Sequence, residues 1–98
     1  MRESEPTDAD CERARNWPIT SMADCEALLE FVRECWWMSA GLISQSPNGE
    51  LWRVSTGGYS SNEELLSAVQ DNGSFWSRCW ESTRRGGHFT FIVPKDGP

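Results

Sequence analysis

Cys25, Leu28, Leu29, Val32, Cys35 and Trp36 recur three and four residues apart, so a helix through them carries one continuous apolar stripe. Asp24, Glu26, Glu30 and Glu34 fall off that stripe. A helix that is apolar on one side only must be covered by a second layer. Ser21 followed by Asp24 gives this helix a capping-box start, and Gly41 suits its stop.

Strand patterns further along the chain supply the cover. Residues 42–46 and 50–56 read as a hairpin about Ser46-Pro47-Asn48-Gly49. A three-residue loop there pairs Ser46 with Glu50, Ser44 with Trp52 and Leu42 with Val54. Leu42, Trp52 and Val54 then share one face, and Ile43 and Arg53 share the wetter one. A two-residue Asn-Gly loop pairs Ile43 with Val54 instead; the proline favours the first register. Residues 88–93 alternate as a strand, with Phe89, Phe91 and Val93 on one face and His88, Thr90 and Ile92 on the other.

Between these strands, Gly57-Gly58 breaks the chain and Ser61-Asn62-Glu63-Glu64 opens a second helix that buries Leu65, Leu66 and Val69 and ends at Asn72-Gly73. Ser74 caps a third, with Phe75, Trp76, Cys79 and Trp80 on one face and Gly86-Gly87 as its end. The expected architecture is an α+β two-layer domain, a three-stranded antiparallel or mixed sheet with three helices in the order α-β-β-α-α-β. Residues 1–16 read as a flexible acidic N-terminal tail, 17–93 as the single domain and 94–98 as a C-terminal tail. With 98 residues, six tryptophans and four phenylalanines, there is aromatic bulk for one small core and not for two.

Charge narrows the possible partners. Residues 1–37 hold nine acids and four bases, 38–74 four acids and one base, and 75–98 two acids and four bases, for a net charge of -6. An acidic chain with a mildly basic end is not built to follow a phosphate backbone, so direct nucleic-acid binding is not expected. The absence of a signal-type or membrane-spanning apolar run points to the cytoplasm and away from membranes. Cys11, Cys25, Cys35 and Cys79 form no C-x-x-C pair, and Cys25 and Cys35 lie about 15 Å apart along one helix, so free thiols are expected and zinc-ribbon chemistry is not.

Two places could carry function. Gly57-Gly58-Tyr59, between a strand and a helix, resembles an anion cradle in outline, although Glu63 and Glu64 oppose a phosphate there. Arg84-Arg85-Gly86-Gly87-His88 offers two guanidiniums and a histidine for gripping a phosphate or carboxylate, or else a plain helix end. A ligand site would thus comprise Gly57, Gly58, Tyr59, Arg84, Arg85 and His88, holding a nucleotide or other anion. The second candidate is a partner face: Glu26, Glu30 and Glu34 at i, i+4, i+8 could mimic phosphates, with Trp37 turned away from the buried stripe as an interface anchor. An enzyme is not expected, because His88 is the only histidine and Cys79 lies on an apolar face. No metal or other cofactor is implied.

Residues 55–91, with Ser55-Thr56-Gly57-Gly58-Tyr59-Ser60, Asn62-Glu63, Phe75-Trp76, Cys79-Trp80 and the stretch from Ser82 to Phe91, resemble a family of small phage-encoded proteins. That family shares a Ser-Thr-Gly-Gly-aromatic turn and an Arg-Arg-Gly-Gly-His-aromatic segment. Tyr59 stands where it has tryptophan, and Thr83 interrupts its Ser-Arg-Arg run. The resemblance implies a phage accessory protein that inhibits a bacterial defence or host factor, in the manner of anti-CRISPR or other anti-defence proteins. The partner would be a host protein or protein complex, nucleic-acid-binding ones included, in the host-cell cytoplasm. The family brings no catalytic residue with it.

Overall fold

All six residues of the stripe are buried in the computed structural model, none more than 2% exposed. The structure describes residues 4–95. Five of the stripe residues lie in α2 (Met22–Cys35) with Trp36 as its C-cap, and the stripe shares one core with Trp52, Val54, Phe75 and Phe91. Ser21 caps α2 by accepting from the Asp24 amide, as the sequence indicates, while the Asp24 carboxylate turns back to the Thr20 amide and hydroxyl.

The helix ends six residues before Gly41, because the chain is seized at a corner. Trp36 enters the core and its indole N–H donates to the Ser55 carbonyl at 3.0 Å. The amide and carbonyl of Trp37 are both bonded to the side chain of Asn62, which is fully buried. The same Asn62 amide group also donates to the Thr56 carbonyl at 3.2 Å. Met38 then takes a left-handed conformation (φ 61°) and leads into the one-turn α3 (Ser39–Leu42). Gly41 therefore lies within α3 and terminates nothing.

β1 (Ile43–Gln45) and β2 (Leu51–Ser55) form the first hairpin, in the register the proline argument set aside: Ile43 opposes Val54, Ser44 opposes Arg53 and Gln45 opposes Trp52. The turn at Ser46 to Gly49 does form, with the Gly49 amide donating to the Ser46 carbonyl at 2.8 Å and Gly49 at φ 78°, and side chains close the rest of the loop. The Asn48 carbonyl oxygen accepts from the Ser46 hydroxyl and the Glu50 amide, and the Ser46 hydroxyl accepts from the Leu51 amide. Ile43 thereby joins the core face with Val54, and Arg53 remains exposed.

Two further corrections enlarge the fold. Residues 1–16 read as a tail, yet α1 (Asp8–Arg15) forms with a full capping box between Thr7 and Asp10. Few of its residues are apolar, which hides it from periodicity. It is held by fully buried Ala14, by the Arg15–Asp71 ion pair, and by Asn72, whose amide group donates to the carbonyls of Ala14 and Trp17. Arg13 lies over the rings of Trp17 and Phe31, at 5.3 and 4.9 Å from their centroids. Residues 1–3 of the expected tail, and 96–98 of the C-terminal one, lie outside the described residues.

The second correction concerns the third helix. After α4 (Ser60–Asp71), α5 (Gly73–Cys79) is capped by Asn72 rather than Ser74 and stops at Cys79. Trp80 to Arg84 form a strand, β3, that turns through residues 85–87 into β4 (His88–Ile92). Gly86 and Gly87 are not a helix cap; both have positive φ (87° and 77°) and make a hairpin turn. Helical spacing misleads here because Trp80 does stack on Trp76, at 6.1 Å and 16°, across the helix–strand junction. The sheet thus has four strands, all antiparallel, in the order β1-β2-β4-β3. The core residues of β1, β2 and β4 turn to the side where the helices pack, in an α+β fold.

Candidate functional site

Covering one face of the sheet leaves the other bare. Alternation along β2 puts Trp52 and Val54 in the core and Leu51, Arg53 and Ser55 on the opposite side. Antiparallel partners share a face, so the register lays out three rows across the uncovered side. Leu51 meets Ile92, Arg53 meets Thr90 with Ser82 beyond it, and Ser55 meets His88 with Arg84 beyond it. These rows line a shallow groove of about 610 Å³.

Its polar contacts are local. The Ser55 hydroxyl and His88 Nδ1 are 2.7 Å apart, and the Ser82 and Thr90 hydroxyls are hydrogen-bonded across β3 and β4. Among the described residues, Arg53 and Arg84 form no ion pair or hydrogen bond, and neither does Arg85. Among the described residues Glu81, at the irregularity between Trp80 and Ser82, is the one carboxylate lining the groove.

The Gly57-Gly58 turn and the segment from Arg84 to His88 do come together. The Thr56 amide donates to the Gly87 carbonyl at 3.0 Å. A Cβ on Gly87 would lie 2.3 Å from the Thr56 hydroxyl oxygen, so this approach requires glycine. The sequence-named residues nevertheless divide. Arg84 and His88 line the open groove; Arg85 projects from the hairpin turn; Gly57, Gly58 and Tyr59 are exposed but lie outside the groove. Beside that turn the Thr56 hydroxyl is directed at the Glu63 carboxylate, 3.5 Å away, where an anion would be repelled.

The acidic candidate face is partly neutralised. Glu26 is paired with Lys95, and Glu30 with Arg33 at 3.0 Å; Glu34 has no such partner among the described residues. Trp37 is half-buried, and among the described residues the large apolar side chains most exposed are Met38, Trp80 and Tyr59.

Thiol chemistry finds no foothold at Cys79, where burial, and then the neighbouring Cys25, pushes the thiol up to about 12. Among the described residues no group of three or more His, Cys, Asp or Glu is placed to hold a metal ion, and no helix is long and apolar enough to cross a membrane. Arg53 and Ser55 belong to the groove although sequence reasoning did not join them to it. Their signal was strand alternation, Arg53 standing between Trp52 and Val54. No protein-family model, no curated protein and no solved structure matches the chain.

Proposed function

We propose that this is a non-enzymatic binding protein that acts by direct contact with a partner protein, through the uncovered face of its sheet. The observation that carries this reading is the pair of guanidiniums, Arg53 and Arg84, unpartnered among the described residues and flanking His88 on a face that no described helix covers. Arginines left free in a chain of net charge -6, which has carboxylates to spare for pairing, are available to a partner. The overall negative charge disfavours nucleic acid as that partner. The resemblance of residues 55–91 to small phage-encoded proteins supplies the setting: inhibition of a bacterial defence or other host factor, including a nucleic-acid-binding one, in the host cytoplasm.

The test is capture from host lysate with three baits: the wild type, Arg53→Glu/Arg84→Glu, and Glu26→Lys/Glu30→Lys/Glu34→Lys. A partner held by the first and third baits and depleted about tenfold or more from the second supports contact through the sheet. Loss from the third bait alone moves the contact to α2, and equal retention by all three sinks both faces.

A second reading, a small-anion site, is favoured by the Ser55–His88 bond directly beside Arg84. Thermal stabilisation by nucleotides or inorganic phosphate that disappears in Arg84→Gln would establish it; no shift with any of them removes it.

A further inference from the structure

The three rows of the uncovered sheet face differ in chemistry, and the differences are ordered. Leu51 and Ile92 make an apolar row, and Glu81 lies in the bulge between Trp80, opposite Phe91, and Ser82, opposite Thr90. The next row carries Arg53, and the third carries His88 and Arg84. Successive rows are two residues apart along the strands, a pitch of about 6.8 Å. Arg53 on β2 and Arg84 on β3 stand on either side of β4, about 10 Å apart across the sheet, within the combined reach of two long side chains.

From this arrangement we infer that the face receives an extended acidic segment of a partner protein, with an apolar residue over Leu51 and Ile92 and carboxylates two and four positions along, one on Arg53 and one on Arg84 beside His88. The inference rests on the reading above that partner contact runs through this face, and it names the partner's chemistry. An extended chain presents same-side side chains at the pitch of the rows, so three alternate residues meet three rows. Guanidinium–carboxylate pairing is bidentate and directional, which favours a carboxylate over a neutral amide at both cationic rows. The apolar row fixes the polarity: Leu51 and Ile92 offer a carboxylate no partner there, and burying a charge against them is costly, so that end is left to a hydrocarbon side chain. A phosphate-rich strand fits less well, because it brings charge at every row, including the apolar one of Leu51 and Ile92.

The probes are synthetic peptides, each centred on five residues. Leu-Ser-Glu-Ser-Glu and its reversed order cover the two chain directions. Leu-Glu-Glu-Ser-Ser keeps the composition and breaks the spacing, and Leu-Ser-Gln-Ser-Gln removes the charge. Binding is measured by calorimetry at low salt to the wild type, Arg53→Gln and Arg84→Gln, with circular dichroism confirming that the variants fold. One orientation of the spaced peptide should bind, weaken roughly tenfold or more when either arginine or the carboxylates are replaced, and weaken with added salt. The broken-spacing peptide should also bind about tenfold more weakly.

Equal binding of both spacings overturns the inference in favour of a diffuse positive field. Competition by millimolar inorganic phosphate as strong as by peptide overturns it in favour of a small-anion site. A dimer seen by sedimentation and abolished by Arg53→Glu assigns the face to a second copy instead. If no peptide binds although capture is still lost from Arg53→Glu/Arg84→Glu, the acidic-segment inference falls while contact through the sheet stands; if capture is unaffected too, both fall.

Discussion

Trp52 and Arg53 are neighbours in β2, yet one is fully buried and the other exposed. The contrast holds along the central strands: Val54 and Phe91 are sealed beneath the helices, while Ser55 and His88 face outward. The covered side is tied together by ring contacts, Phe75 with Phe91 at 5.4 Å and Trp76 edge-on to Phe89 and Phe91 at 6.1 and 5.5 Å. The bare side has short polar contacts and free guanidiniums. Stability and recognition are thus assigned to opposite faces of the same strands, and a substitution should report on one or the other.

The largest separation is expected at Phe91 and Arg53. Removing the ring of Phe91, 1% exposed, should cost about 3–5 kcal/mol, whereas Arg53→Ala should stay within about 0.5 kcal/mol. Urea denaturation measures both, with Phe91→Leu in reserve should the alanine variant not fold. A loss above about 1.5 kcal/mol for Arg53→Ala would mean that the outward face is structural, and the division of labour would collapse.

How far the sequence announces this division depends on the distance over which each signal acts. Periodicity reveals the α2 stripe and the alternation of β4, because both are patterns within one element. The Pro47 turn was legible but its register was not, because the Asn48 side chain draws the Glu50 amide into the loop and Ser46 pairs with Leu51 in place of Glu50. β3 was hidden because Trp80 satisfies helical spacing from Trp76 while lying in a strand. α1 was hidden because its hold on the fold comes from Asn72, 58 residues from the carbonyl of Ala14 that it binds. For the site, Arg84 and His88 were legible as a local cluster. Their association with Arg53 and Ser55 was not, since it is created by the pairing of β2 with β4.

Polar groups on the two sides should differ as sharply as apolar ones. Asn62 is fully buried and satisfies the Trp37 amide, the Trp37 carbonyl and the Thr56 carbonyl. Asn62→Ala leaves those groups without their partner and should cost on the order of 3 kcal/mol. The Ser55–His88 bond is exposed, and Ser55→Ala should cost less than about 1 kcal/mol. The paired measurement is again chemical denaturation. A cost for Asn62→Ala near that of Ser55→Ala would show that water replaces the clamp, and the corner at Trp37 and Met38 would then owe its shape to something else.

Alkaline titration offers the smallest effect and a direct check on which side produces it. The Cys79 thiol, 2% exposed, is pushed by burial and then by Cys25 from 9.0 to about 12. Between those values the unfolded chain loses this proton while the folded chain keeps it. The unfolded state therefore binds fewer protons, and stability falls as pH rises through that window. The thiol's contribution is intact below about pH 9 and declines progressively above it. Other groups ionise in the same range, so the informative quantity is the difference from Cys79→Ala, which should lose stability less steeply from pH 9 to 11. Arg53→Gln/Arg84→Gln should leave the slope of the parent unchanged, because those groups lie on the opposite face. Should the arginine pair change that slope and Cys79→Ala leave it alone, the alkaline response would belong to the open face, and the two faces would no longer be energetically separate.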